Sequence, residues 1–162
     1  MRLELIPFDG VGPVRLGMTR AQVLDAMETP PHTFAKWAAG PPAPDVDAFL
    51  GSAFQVFYDV ERWLETGDLV VDFIELSRGP EVEPWLEGVS VLRVPANELV
   101  SRLTENWSFD AQDPELGHSY VFPAIGLLLW RPMLPEDDLD PEGRYFSAVA
   151  IASKGYLDSR HG

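Results

Sequence analysis

Residues 14–30 read VRLGMTRAQVLDAMETP, and the way this stretch is parsed decides the fold. A strand-like VRL runs into Gly17, which permits the sharp turn that must follow. Thr19 is a favourable N-cap, and Gln22 three positions on completes a capping box. Met18, just before the cap, can staple onto Val23. Val23, Leu24 and Met27 form one inward stripe, so the helix has a face to bury. Pro30 and Pro31 end it, because proline lacks the N–H and clashes with the preceding turn.

The same pattern recurs further along. In VPANELVSRL, residues 94–103, Pro95 stands 76 positions after Thr19, with Glu98, Leu99, Val100 and Leu103 where Gln22, Val23, Leu24 and Met27 stood. Pro95 cannot cap as a threonine does, but the apolar positions agree. GSAFQVFY, residues 51–58, aligns with AIGLLLW ending at Trp130, 72 positions on. VDFIELSRG, 71–79, aligns with SAVAIASKG, 147–155, and both end in Ser, a basic residue and Gly. Fixed order with length changes confined to loops is the mark of a duplicated unit. The expected fold class is therefore α+β: two repeated helix-plus-antiparallel-strand units, with the helices packed on one side of the sheet. The first repeat spans 1–80, a linker 81–88 and the second repeat 89–158, together one compact domain. Within this scheme 60–68 and 132–143 are loops joining paired strands, and a short helix is expected around Thr33 to Ala38 before the PPAP break.

The pattern Gly-Met-Thr, two residues, Gln-Val, then Thr-Pro resembles the helix-start signature of the SmpA/OmlA outer-membrane assembly lipoproteins. Here it is carried by Gly17, Met18, Thr19, Gln22, Val23, Thr29 and Pro30. The tandem helix-plus-sheet layout is similar to the β-lactamase inhibitory protein superfamily. The resemblance implies a fold and a general role in binding other proteins. Those lipoproteins are anchored through a Cys and the secreted inhibitors use disulfides; this chain has no Cys, so membrane assembly and β-lactamase inhibition do not carry over.

Composition narrows the chemistry. The 162 residues are 46% hydrophobic, with 5 Trp, 9 Phe and 4 Tyr, which is ample for a core. Acidic residues number 26 against 12 basic ones, a net charge of −14, which repels nucleic acid and anionic membrane and favours a basic protein partner. Without Cys there is no thiolate metal site or thiol nucleophile. MRLELIPFDG lacks a signal-peptide apolar run and no stretch is long enough to span a bilayer, so a cytoplasmic protein is expected. His32, His118 and His161 are scattered, and no HExxH, GxSxG, P-loop or dinucleotide fingerprint occurs. No enzyme activity, cofactor or metal is expected. Asp138, Asp140, Glu142 and Gly143 sit at the first, third, fifth and sixth places of an EF-hand-like loop, but Val149 holds the twelfth and Pro141 interrupts, so the run reads as a solvated loop.

Binding is expected of aromatic residues set among carboxylates. Trp37, Trp63 and Trp85 lie in Pro-, Gly- or charge-rich segments, with Asp45, Asp47, Asp59, Glu61 and Glu65 nearby in sequence. Loop Trp beside acids is a frequent composition of protein-binding patches. Trp107 and Trp130 read as core or sheet-face residues. The expected function is a non-enzymatic acidic protein-binding domain, such as an intracellular inhibitor or immunity protein against a basic toxin. A scaffold or sensor domain is the alternative, and a small-molecule-binding or hydrolytic protein with a site between the repeats the second.

Overall fold

Three short strands, β1 (Arg2–Ile6), β2 (Gly10–Val11) and β3 (Val14–Arg15), lead into helix α1 (Arg20–Met27). The computed structural model describes residues 1–34, 45–134 and 141–160. At the helix start Gly17 has φ +88°, a left-handed conformation suited to glycine. Thr19 Oγ1 accepts from the Gln22 N–H at 3.3 Å and Gln22 Oε1 accepts from the Thr19 N–H at 2.9 Å, closing the capping box. Val23 is fully buried, and Met18, Leu24 and Met27 pack partly buried against the same cluster.

The chain continues through β4 (His32–Phe34), β5 (Val46–Phe49), β6 (Phe54–Tyr58), α2 (Val60–Thr66) and β7 (Val71–Ser77). Next come β8 (Glu83–Leu86), β9 (Val89–Ser90), α3 (Ala96–Leu103), β10 (Ser119–Phe122) and β11 (Leu127–Trp130). The short helix α4 (Pro141–Arg144), β12 (Ala148–Ala152) and α5 (Lys154–Arg160) follow. Seven strands form one antiparallel sheet in the order β10-β11-β12-β7-β6-β5-β4. Five form a smaller mixed sheet, β3-β2-β1-β8-β9, in which β1 and β8 are parallel. The protein is α+β.

Period-two alternation divides the large sheet into two faces. Its inner face carries Val56, Ile74, Leu76, Leu127, Leu129 and Ile151. These share one core with Leu3 and Leu5 of the small sheet, Val23 of α1, and Leu99 and Leu103 of α3. On the outer face Phe73, Val121, Leu128 and Ala150 form a second cluster with Leu157 and Tyr156 of α5. Helices therefore lie on both faces rather than one: the C-terminal helix, unforeseen in the sequence, covers part of the outer side.

Other expectations change as well. The 81–88 stretch is not a linker but holds β8, whose Pro84 and Leu86 are buried while Glu83 and Trp85 are half-buried. Residues 60–66 form a helix, because Asp59 caps Arg62 N–H at 3.0 Å and Gly67 closes the far end in the left-handed region. Thr33 and Phe34 belong to β4; the rest of the expected helix, residues 35–38, lies outside the described residues. Of the 132–143 loop, residues 141–143 open α4, and 135–140, with Asp138 and Asp140, lie outside the described residues. Glycine is required where the β10–β11 hairpin closes. Gly126 has φ +67°, and a Cβ there would stand 2.6 Å from the Ala152 carbonyl oxygen and 2.7 Å from the Phe8 ring.

One polar cluster interrupts the inner face. Asp47 of β5 is completely buried; it accepts two bonds from Arg20 (Nε at 2.9 Å, Nη2 at 3.2 Å) and one from the Tyr58 hydroxyl at 2.7 Å. The bond to Asp47 raises the Arg20 pKa, and burial, then the Asp47 bond, raises that of Tyr58. A buried carboxylate that loses its cation is costly, whereas replacing both partners is far less so. Arg20→Leu is expected to lower stability in urea titrations by about 2–3 kcal/mol, the Arg20 side chain being partly hydrated already. The double variant Arg20→Leu/Asp47→Asn is expected to recover most of that loss; full additivity of the two single losses would refute a coupled buried pair.

Candidate functional site

The residues expected to bind fall in different places. Trp37 lies outside the described residues. Asp59, Glu61, Trp63 and Glu65 are gathered on α2: Asp59 is its cap, Glu61 and Glu65 are exposed one turn apart, and Trp63 is half-buried. Asp45 adjoins this end of the sheet, where its carbonyl accepts the Tyr58 N–H at 2.9 Å; its side chain is buried. Asp47 is a core residue and not a surface one, because the register that sets it beside Val56 turns it to the inner face. Trp85 is elsewhere, on β8 of the small sheet, with the Arg2 guanidinium 3.9 Å from its ring centroid. Its indole N–H is buried with no acceptor among the described residues.

The structure adds a carboxylate to this end of the sheet. Asp72 sits at the start of β7, beside the β6–β7 register shift at Phe57/Tyr58. Burial, and secondarily the charge of Asp59, push its pKa up to about 7, against a weaker lowering by a backbone hydrogen bond. Among the described residues no group of three or more His, Asp or Glu side chains could hold a metal ion.

A better-formed concavity lies on the outer face of the large sheet. Register explains it. Ala150 stands between Leu128 and Glu75, and Ala148 between Trp130 and Ser77. Two alanines on a central strand, flanked by Leu128, Glu75 and Trp130 on its neighbours, leave a depression along that strand. The resulting cleft has a volume of about 350 Å³. Tyr156 of α5 bounds it, stacked on Phe73 with ring centroids 4.5 Å apart. Trp130 lines it with 45% of its surface exposed, and Glu75 and Glu115 contribute carboxylates.

Apolar surface adjoins the cleft. Of the six exposed large hydrophobic residues among those described, Leu116, Trp130, Met133 and Leu134 fall in two segments. These are joined by the Arg131 N–H donating to the His118 carbonyl at 2.8 Å, and Leu134 packs close to Gly117. Exposed apolar side chains grouped on neighbouring segments are a feature of interaction sites. Aromatic faces beside carboxylates suit a cation with an apolar stem, such as a lysine or arginine side chain.

Sequence reasoning missed Glu75, Glu115, Trp130 and Tyr156 as a group. The alternation in VDFIELS and LLLW already sets Phe73 and Glu75, and Leu128 and Trp130, opposite the core-facing residues. That β12 lies between the two strands is a long-range fact that local alternation does not contain.

No family model matches the chain, and no curated protein or solved structure matches it.

Asp72 gives the acidic end a pH signature. Folded, it holds its proton up to about pH 7, while the unfolded chain releases it near the ordinary carboxylate value of 3.8. Between these values the folded state binds more protons, so this group's contribution to stability falls as pH rises and levels off above pH 7. Asp72→Asn should match the wild type in denaturant midpoint at the acid end of that window. At pH 8 it should be more stable, on the order of 1 kcal/mol or more. An equal effect at both pH values would contradict a half-buried carboxylate with a raised pKa.

Proposed function

We propose that the protein is a non-enzymatic acidic protein-binding domain whose outer-sheet cleft receives a basic segment of a partner. The observation that carries this reading is the cleft bounded by Trp130 and Tyr156 and lined by Glu75 and Glu115, beside exposed Leu116, Met133 and Leu134. The net charge of −14 supports it, since such a field steers a cationic partner toward the surface and speeds association. An inhibitor or immunity protein acting inside the cell against a basic toxin is the form of this function that best suits the charge. Among the described residues no helix is long and apolar enough to cross a membrane.

The proposal extends to how the site arose. We infer a duplicated α+β unit, related to the SmpA/OmlA and β-lactamase inhibitory protein superfamily through Gly17, Met18, Thr19, Gln22, Val23, Thr29 and Pro30. The order of the large sheet supports duplication: β5-β6-β7 from one half and β10-β11-β12 from the other meet at β7–β12. That pair is antiparallel, with Ile74 opposite Ile151 and Glu75 opposite Ala150, so a two-fold relation between the halves equates their residues at an odd offset, whereas the offset of 76 would set inward Ile74 on outward Ala150. The parallel β1–β8 pair departs from this symmetry, so the small sheet belongs to neither repeat in the same way.

The test uses a defined probe, an oligolysine peptide titrated at low ionic strength, with binding followed by calorimetry. Trp130→Ala is expected to weaken binding about tenfold or more, as loss of a central aromatic anchor does. Glu115→Gln should weaken it several-fold without touching the core. Glu61→Gln/Glu65→Gln removes more charge from the distant α2 and should leave affinity within about twofold. Equal weakening by the cleft and α2 variants would reduce the interaction to net charge and overturn the proposal.

A further inference from the structure

A second concavity, of about 370 Å³, lies where β8 and β9 meet the end of β7 and the segment before β12. Its chemistry is opposite to that of the outer-sheet cleft. Arg78, at the exit of β7, is held in place by one nitrogen: Nη2 donates to the Leu92 carbonyl at 3.1 Å and to the Phe146 carbonyl at 2.7 Å. Its Nε and Nη1 hydrogens have no acceptor among the described residues. The Arg78 guanidinium lies 5.3 Å from the Tyr145 ring centroid, and that of Arg144 lies 5.5 Å from the same ring. Arg93 also lines the cleft, facing Glu83 at 3.7 Å with its side chain 74% exposed. The Ser90 hydroxyl donates to the other Glu83 oxygen at 3.2 Å. Val82, Pro84 and Leu92 supply an apolar lining.

Two arginines against one glutamate line the cleft, in a chain with only 12 basic residues in all, and make a local reversal of the overall charge. Holding a guanidinium by two carbonyls orders it before any ligand arrives, which lowers the entropy cost of binding. We infer that this cleft is a binding site for a small oxyanion-bearing molecule, a carboxylate or a phosphate ester. Its anionic group would be bound by Arg78 and Arg93 and its apolar or aromatic body by Tyr145, Leu92 and Pro84. Arginine suits such a ligand because its donors are fixed and it stays charged at any working pH. The inference does not depend on the outer-sheet cleft, which takes the opposite charge.

Benzoate and phenyl phosphate are the probes, titrated into the isotopically labelled full chain at low ionic strength and followed by amide chemical shifts. Saturable shifts in the millimolar range are expected at Gly79, Ser90, Arg93 and Tyr145. The tighter of the two probes names the anion class. Arg93→Gln should weaken binding several-fold, while Arg102→Gln, the same charge change on α3, should leave it unchanged. Arg78→Lys keeps the charge but loses the fixed donors, and should weaken binding at least as much as Arg93→Gln. Because Arg78 also bonds two carbonyls, its result counts only with an unchanged amide spectrum elsewhere, and Arg93→Gln decides otherwise. Absence of saturation with both probes, or equal weakening by Arg93→Gln and Arg102→Gln, would overturn the inference.

Discussion

The antiparallel pairing of β7 with β12 is the contact on which the molecule depends. It joins the strands of residues 32–77 to those of residues 119–152 in one continuous sheet, with Phe73 to Ser77 facing Ala152 to Ala148. One side of this pair, through Ile74, Leu76, Val149 and Ile151, is the middle of the main core. The other side, through Phe73, Glu75, Ala148 and Ala150, lines the candidate cleft. A slip of one residue would exchange the two sets, burying Glu75 and exposing Ile74, so register here is strongly specified. The same pairing thus determines both the core and the binding face.

The buried Asp47 acts on a second constraint, the placement of α1. A carboxylate in an apolar interior is tolerated because Arg20 and Tyr58 satisfy it with three bonds. Those bonds link the first turn of α1 to β5 and β6, which the capping box alone would leave unconnected. Well-packed apolar residues could give similar stability, so what the cluster supplies is the direction of the helix over the sheet. Electrostatics at this end run the other way at Asp72, where burial near Asp59 holds a proton on a group that is ordinarily ionised. A chain of net charge −14 thus carries, within a short span, both a compensated buried acid and one whose pKa is raised toward neutrality.

Local signals in the sequence were legible where a few adjacent residues decide the outcome. Gly17, Thr19 and Gln22 build the turn and capping box that their order predicts, and Leu99 and Leu103 face the core from α3 as their spacing requires. β6, β7, β11 and β12 lie where alternation sets them. The missed elements are those whose identity depends on distant partners. β8 is a strand because β1 is there to pair with it, and its Pro84 and flanking acids hid that. α2 was hidden by its charge, since a helix with no buried residue shows little periodicity, although Asp59 and Gly67 are a legible cap and stop. For the site, sequence proximity grouped Trp85 and Asp47 with the acids of α2, whereas the fold sends one to the other sheet and the other inward. Trp130 gains its position only when Ala148 of a strand 18 residues later pairs beside it.

The central claim is that the outer face over β7 and β12 receives a cationic partner. Nitrogen–proton shift mapping of the full chain with a lysine-rich peptide tests it most directly. The account predicts that the Trp130 indole and the amides of Glu75, Leu128, Ala150 and Tyr156 move together and saturate, while those of Glu61 and Glu65 stay still. Shifts confined to α2, or spread evenly over every acidic segment, would contradict it.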